Sequence, residues 1–186
     1  MIVWPPMNPL VLFLPVYRAS VTAYLLGLVA LALLDAMRMQ FGLILIPSGI
    51  ALIAIWFFVY ALHANRRRHA GREPALAVLP VLAAVLAKGV AAVIGIFPGL
   101  VAAMTDFAER NGVDTADDQA FAAAISQPGF QEAFQNDLLT QPELMDTLTA
   151  GMAWPSWIGF WLVIALFAIW FARLRPPVAP SVSPGV

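Results

Sequence analysis

Four stretches of this chain stay apolar for about the thickness of a bilayer, and the polar residues gather in the gaps between them. The first runs from about Arg18 to Met37. Asp35 is the only charge between Arg18 and Arg38, and the nineteen intervening residues make roughly 29 Å of helix against a hydrocarbon core of about 30 Å. A short turn around Arg38 to Gln40 predicts an antiparallel hairpin with the second span, Phe41 to about Leu62. Pro47-Ser48-Gly49 interrupts that second stretch. Backbone groups freed in lipid must find partners on a neighbour, so the interruption predicts a kink that points inward.

The third stretch, Ala75 to Leu100, follows Glu73-Pro74, with proline placed for a helix start. Pro80 is expected to bend it and Pro98-Gly99 to loosen its far end. The fourth runs from Trp154 to about Leu174, with Trp154 and Trp157 at one end and Trp170 and Phe171 at the other. The outer tryptophans stand sixteen residues apart, about 24 Å of helix, as two interfacial aromatic belts require. The expected fold is therefore all-α, an integral-membrane four-helix bundle with a small helical extracytoplasmic cap.

The remaining segments complete the division. Residues 1–17 carry Pro5, Pro6, Pro9 and Pro15, which prevent a spanning helix and predict an interfacial lead-in anchored by Trp4 and Tyr17. Residues 18–104 hold the first three spans, 105–151 an acidic loop, 152–175 the fourth span, and 176–186 a proline- and serine-rich tail expected to be disordered. A secretory signal peptide is the weaker reading, since the first basic residue is Arg18 and no small-x-small cleavage site follows the apolar run at a suitable distance. Within the acidic loop, Thr115-x-x-Asp118 and Thr140-x-x-Glu143 look like capped helix starts. Ser126-Gln-Pro-Gly-Phe130 with Phe134 repeats as Thr140-Gln-Pro-Glu-Leu144 with Leu148. The apolar face so defined, including Phe121 and Leu138, either lies on the membrane domain or receives a partner.

Composition agrees with a lipid environment. Hydrophobic residues are 61% and charged residues 11% of the chain, where soluble domains hold about 45–50% and about 25%. The charges are segregated. Nine of the eleven acidic residues lie between Thr105 and Gly151, whereas Arg66, Arg67, Arg68, Arg72, Arg173, Arg175 and Arg18 lie at the opposite ends of the spans. Positive residues favour the cytoplasmic side, which places both termini inside and the acidic loop outside.

Candidate chemistry is sparse. Without cysteine there is no disulfide or thiolate site. No catalytic, cofactor or metal motif is present, and the acidic loop lacks the alternating Asp spacing of a calcium loop. His63 and His69 flank the basic loop and are expected at solvent or head groups. The basic patch is short and lacks interleaved aromatics, which argues against nucleic acid. Asp35, Ser48 and Lys88 fall at one predicted depth and form a candidate intramembrane polar layer. It is either structural, with Lys88 paired to Asp35 as a bundle lock, Lys88 snorkelling outward along its stem, or Asp35 capping the span end beside Arg38, or an ion or substrate site. Ala83, Ala87, Ala91, Gly95 and Gly99 put small residues on one face of the third span, a stripe for close helix packing within this chain or with another copy. Arg66, Arg67, Arg68 and Arg72 are candidate lipid head-group contacts.

Two fragments carry a resemblance. Tyr17-Arg18-Ala19-Ser20 with Tyr24, and Arg66-Arg67-Arg68-His69-Ala70-Gly71-Arg72 with Pro80, resemble motifs of the YhaH-like family of small bacterial inner-membrane proteins. Val21 stands where that family has a second arginine, Ala70 replaces its aspartate, and its Gly-Trp is missing. The likeness covers about residues 17–100 and implies a multi-pass protein of the bacterial inner membrane. The function expected from all this is a non-enzymatic accessory or assembly component of a membrane complex, meeting lipid and another membrane protein or a second copy. The alternative is a small transporter or channel component that uses the polar layer.

Overall fold

The computed structural model describes residues 14–41 and 48–175. Most of the proline-rich lead-in, the Pro47 interruption and the tail from Pro176 lie outside the described residues, as does the side chain of Ser48. The described chain is helical without strands. It contains α1 (Val21–Phe41), α2 (Ser48–His69), a 3-10 turn (Pro74–Ala77), α3 (Val78–Arg110), α4 (Asp118–Ile125), α5 (Phe130–Leu139) and α6 (Pro142–Ala172). Helices α1, α2, α3 and α6 are each long and apolar enough to cross a membrane, which makes this a multi-pass membrane protein.

Local chemistry sets the helix ends. The Ser20 hydroxyl accepts from Ala23 N at 3.2 Å, so α1 starts at Val21 rather than Arg18. Helix α2 does not stop at Leu62 but carries on through the arginines, where sequence predicted a loop. Cations are favoured in the last turn by the helix dipole, and the stop comes at Gly71, with φ 65°. There Gly71 N donates to Arg68 O at 3.1 Å and Arg72 N to Arg67 O at 2.9 Å, a Schellman close that needs the left-handed backbone glycine allows. Helix α3 likewise runs past Leu100 to Arg110, until Gly112 at φ 80° lets Val113 N reach Ala108 O at 3.0 Å.

The cap helices differ from expectation in their punctuation. Asp117, rather than Thr115, caps α4, accepting from Gln119 N at 2.8 Å and Ala120 N at 3.3 Å. The repeated hydroxyls close the preceding helix instead of opening the next. Ser126 Oγ donates to Ala122 O and Thr140 Oγ1 to Asp137 O, each at 2.7 Å. The helix after Thr140 is not a separate cap element but the beginning of α6, which continues without a break through Pro155.

The chain divides into two compact units, Met1–Leu86 with Phe160–Val186, and Ala87–Gly159. In the first, Tyr24, Leu28 and Leu31 of α1, Ile55, Val59 and Leu62 of α2, and Phe160, Ile164 and Phe171 of α6 are buried together with His63. The His63 ring sits edge-on to Tyr24 at 5.4 Å and to Phe171 at 5.3 Å.

In the second unit Phe107 of α3 meets Phe130 at 5.3 Å and Phe134 at 5.6 Å, and Leu138 and Leu144 pack on the same cluster. Phe130, Phe134, Leu138 and Leu144 of the cap's apolar face are thus covered by the extension of α3 in this chain. Below it, α3 and the first half of α6 cross closely. A methyl group on Gly159 would lie 2.7 Å from Ala91 Cβ and 2.9 Å from Ala87 O, and one on Gly99 would lie 2.8 Å from Leu148 Cδ2. Ala87, Ala91, Gly95 and Gly99 of the small-residue stripe therefore face α6. Ala83 belongs to the other unit.

This crossing separates two glycines of one helix. A Cβ at Gly95 would meet Gly151 O at 2.6 Å and Pro155 Cγ at 2.8 Å, whereas one at Gly89 meets nothing within 4 Å. Overpacking costs about 1–3 kcal/mol, and removing an exposed helical glycine gains up to ~1 kcal/mol. Gly95→Ala is expected to lower the melting temperature in mild detergent, and Gly89→Ala to leave it unchanged or raise it. Equal behaviour of the two would contradict the crossing.

Candidate functional site

Polar side chains inside lipid must be satisfied by protein groups, and the first unit shows how this is done at its arginine-rich end. Arg66 is 1% exposed. Its Nε donates to Phe171 O at 3.0 Å, and one terminal nitrogen donates to Ala172 O at 3.1 Å and also to Leu174 O. Phe171 O also accepts from Leu174 N at 3.2 Å in the closing turn, and the guanidinium adds its donors to these last carbonyls, acting as a C-cap from a neighbouring helix. Arg67 donates Nε to Glu73 O at 2.6 Å and lies over the Phe171 ring.

Asn65 and Arg68 reach the chain ahead of α1. Asn65 Nδ2 donates to Leu14 O at 2.9 Å and Arg68 to Pro15 O at 3.0 Å, while Ala19 N donates to Asn65 O at 3.2 Å. Arg66, Arg67 and Arg68, marked by sequence as head-group contacts, are therefore tied to main-chain carbonyls. Arg66 and Arg67 are buried, and Arg72 is exposed. A run of three arginines shows its charge in sequence, but not which carbonyls it will find.

His63 departs from expectation. It is fully buried rather than solvated, because α2 continues past it. Its Nδ1 lies 2.8 Å from Val59 O, which makes that nitrogen the donor and leaves Nε2 as the acceptor.

The polar-layer residues each have partners of their own. Asp35, 3% exposed, pairs with Arg38 one turn on, with both Arg38 Nε and a terminal nitrogen 3.0 Å from Oδ1. Its other oxygen accepts from Trp161 Nε1 at 3.0 Å. Trp161 was not singled out in the sequence, where nothing distinguishes it from the belt tryptophans. In the second unit Lys88 Nζ donates to Ser156 Oγ at 3.2 Å, and Ser156 Oγ donates on to Ala153 O at 2.9 Å. Asp35 and Lys88 fall in different units. Ser48 opens α2.

The cap carries one charged cluster. Arg110 reaches Asp137 at 2.7 Å and Asp106 at 3.1 Å, and Gln141 Nε2 donates to Asp137 Oδ2 at 2.7 Å. Among the described residues no group of three or more His, Cys, Asp or Glu is placed to hold a metal ion. No family model, curated protein or solved structure matches the chain.

Two outcomes follow from these contacts. Removing one member of a buried ion pair leaves the other uncompensated, at about 3 kcal/mol or more. Asp35→Leu is expected to destabilise the detergent-solubilised protein by that amount and Asp35→Asn by clearly less, as measured by thermal unfolding.

In the cap, the hydrogen bond from Arg110, helped by its charge and by Gln141, holds the Asp137 carboxyl below its usual range. A depressed folded pKa stabilises fully above the unfolded value, about 3.9, and that contribution is lost as pH falls through the lower folded value. Hydrogen exchange across residues 130–139 should accelerate on acidification below pH about 4, and this added sensitivity should vanish in Asp137→Asn.

Proposed function

We propose that this protein is a non-enzymatic, multi-pass component of the bacterial inner membrane that serves in the assembly or support of a membrane complex. The arginine-rich end faces the cytoplasm and the acidic cap faces outward, in line with the positive-inside rule. The resemblance to the YhaH-like family supports the same location.

The observation that carries the reading is the bareness of α3. Only 17% of its most apolar window is buried, against 28%, 44% and 33% for the other three spans. Leu86, Val90, Val93, Ile94 and Phe97 are all more than 60% exposed. Its small-residue face is already engaged with α6, so a partner or lipid meets the bulky face. The apolar side of the cap is also engaged, which leaves its acidic outer surface for polar contacts.

A second reading, transport through the spans, is favoured by Lys88 donating to Ser156 within the long helices. The two separate on Lys88→Gln. Loss of uptake at unchanged protein level would favour transport.

The assembly reading expects two results. A periplasmic-active reporter fused near Asp117 should be active, and one fused after Arg68 inactive. A tagged full-length chain drawn from native membranes in mild detergent should bring down a membrane protein partner or a second copy, and Val90→Trp with Ile94→Trp should reduce that yield several-fold. A chain that stays monomeric and alone, and whose deletion alters no membrane complex, would end it.

A further inference from the structure

The ends of three helices in the first unit border an open basic recess. The start of α1, the end of α2 and the end of α6 bound a space of about 600 Å³, into which Arg66, His69, Arg173 and Arg175 contribute. Among the described residues no carboxylate lines it. This unit carries eight lysines or arginines against two carboxylates. Asp35 is taken by Arg38, and Glu73 stands by Arg67, to which it gives its backbone oxygen. Arg18 also lies close enough to His69 for its charge to be felt there.

The role of Arg66 is different from that of its neighbours. Its Nε and one terminal nitrogen are held by the carbonyls of Phe171, Ala172 and Leu174, so it forms a fixed, charged wall. Arg173 and Arg175 are exposed, and His69 is half-buried. Arg173 and Arg175 leave planar, multi-donor guanidinium groups facing the space beside the His69 ring, and such groups match the oxygens of a phosphate. All the helix ends concerned are ends of spanning segments, so the cavity lies at head-group level, where basic pockets between helices capture anionic lipids.

We propose that this cavity is a binding site for a phosphate group, carried by an anionic phospholipid or by a soluble phosphate compound. Arg173, Arg175 and His69 contact the oxygens, and Arg66 sets the field. The site differs from the Arg66-to-Arg72 surface marked by sequence, because Arg67 and Arg68 are tied elsewhere and Arg72 does not line the cavity. It goes beyond the assembly reading and does not depend on it.

The test is native mass spectrometry of the full chain in mild detergent, titrated with phosphatidylglycerol or phosphatidylcholine. Wild type should retain phosphatidylglycerol more tightly. Arg173→Gln with Arg175→Gln should weaken it by about thirtyfold, two surface arginines' worth, and leave phosphatidylcholine unchanged. Arg173→Lys with Arg175→Lys should recover most of the loss. Arg72→Gln, which removes the same kind of charge outside the cavity, should weaken binding by no more than the roughly fivefold of one surface arginine, far short of the double variant.

Millimolar inorganic phosphate separates the sources. Displacement of the lipid supports the site with a soluble phosphate as occupant, and resistance supports it with the lipid head group. Equal retention of both lipids by wild type would overturn the proposal. So would an undiminished preference in the glutamine double variant, or a loss in Arg72→Gln as large as in that variant.

Discussion

A helix that ends at a membrane boundary leaves its last carbonyls without helical donors, and in this protein one buried guanidinium answers for them. Arg66 sits on α2, yet its bonds go to Phe171, Ala172 and Leu174 at the end of α6. A lysine has the charge but not the planar fork that reaches several oxygens at once. The neighbouring Asn65 and Arg68 fasten the chain before α1 to the same turn. Two chain segments far apart in sequence are thereby held to the end of α2. Those bonds go to main-chain oxygens, and among the described residues no carboxylate pairs with Arg66, so the basic recess beside it inherits that imbalance.

The second unit is organised by contact distance rather than by charge. Gly95 and Gly151 let two backbones approach until a single added methyl would strike a carbonyl oxygen. In lipid, apolar side chains gain nothing by leaving solvent for one another, so close van der Waals packing and the bonds it permits supply the attraction. Lys88 fits this scheme as a donor to Ser156 near the same crossing. Further out, where α3 extends past the apolar window, Phe107 gathers Phe130 and Phe134 into a small water-excluding cluster, and Arg110 and Asp137 tie its rim.

Charge segregation joins these local facts to topology. Unit one is strongly basic. The other holds nine carboxylates and only Lys88 and Arg110 as cations. Such asymmetry is the kind that orients a membrane protein during insertion, and it leaves one unit rich in carboxylates and the other rich in guanidinium groups.

How much of this was legible in residues alone follows from the range of each interaction. The four spans, the all-helical class and the division of charge depend on runs of many apolar residues, and they could be read directly. Helix ends depended on single glycines. Gly71 and Gly112 were visible, but the arginines before Gly71 and the acids before Gly112 looked like loop, because their polarity outweighed a terminus signal only one residue long. The hydroxyls of Ser126 and Thr140 showed a cap, but not the direction in which it faces. What no linear pattern contained was partnership across distance: Trp161 with Asp35, Arg66 with the end of α6, Gly95 with Gly151. Those pairings are set by where helices cross, and crossing is a property of packed side-chain surfaces that tertiary structure alone supplies.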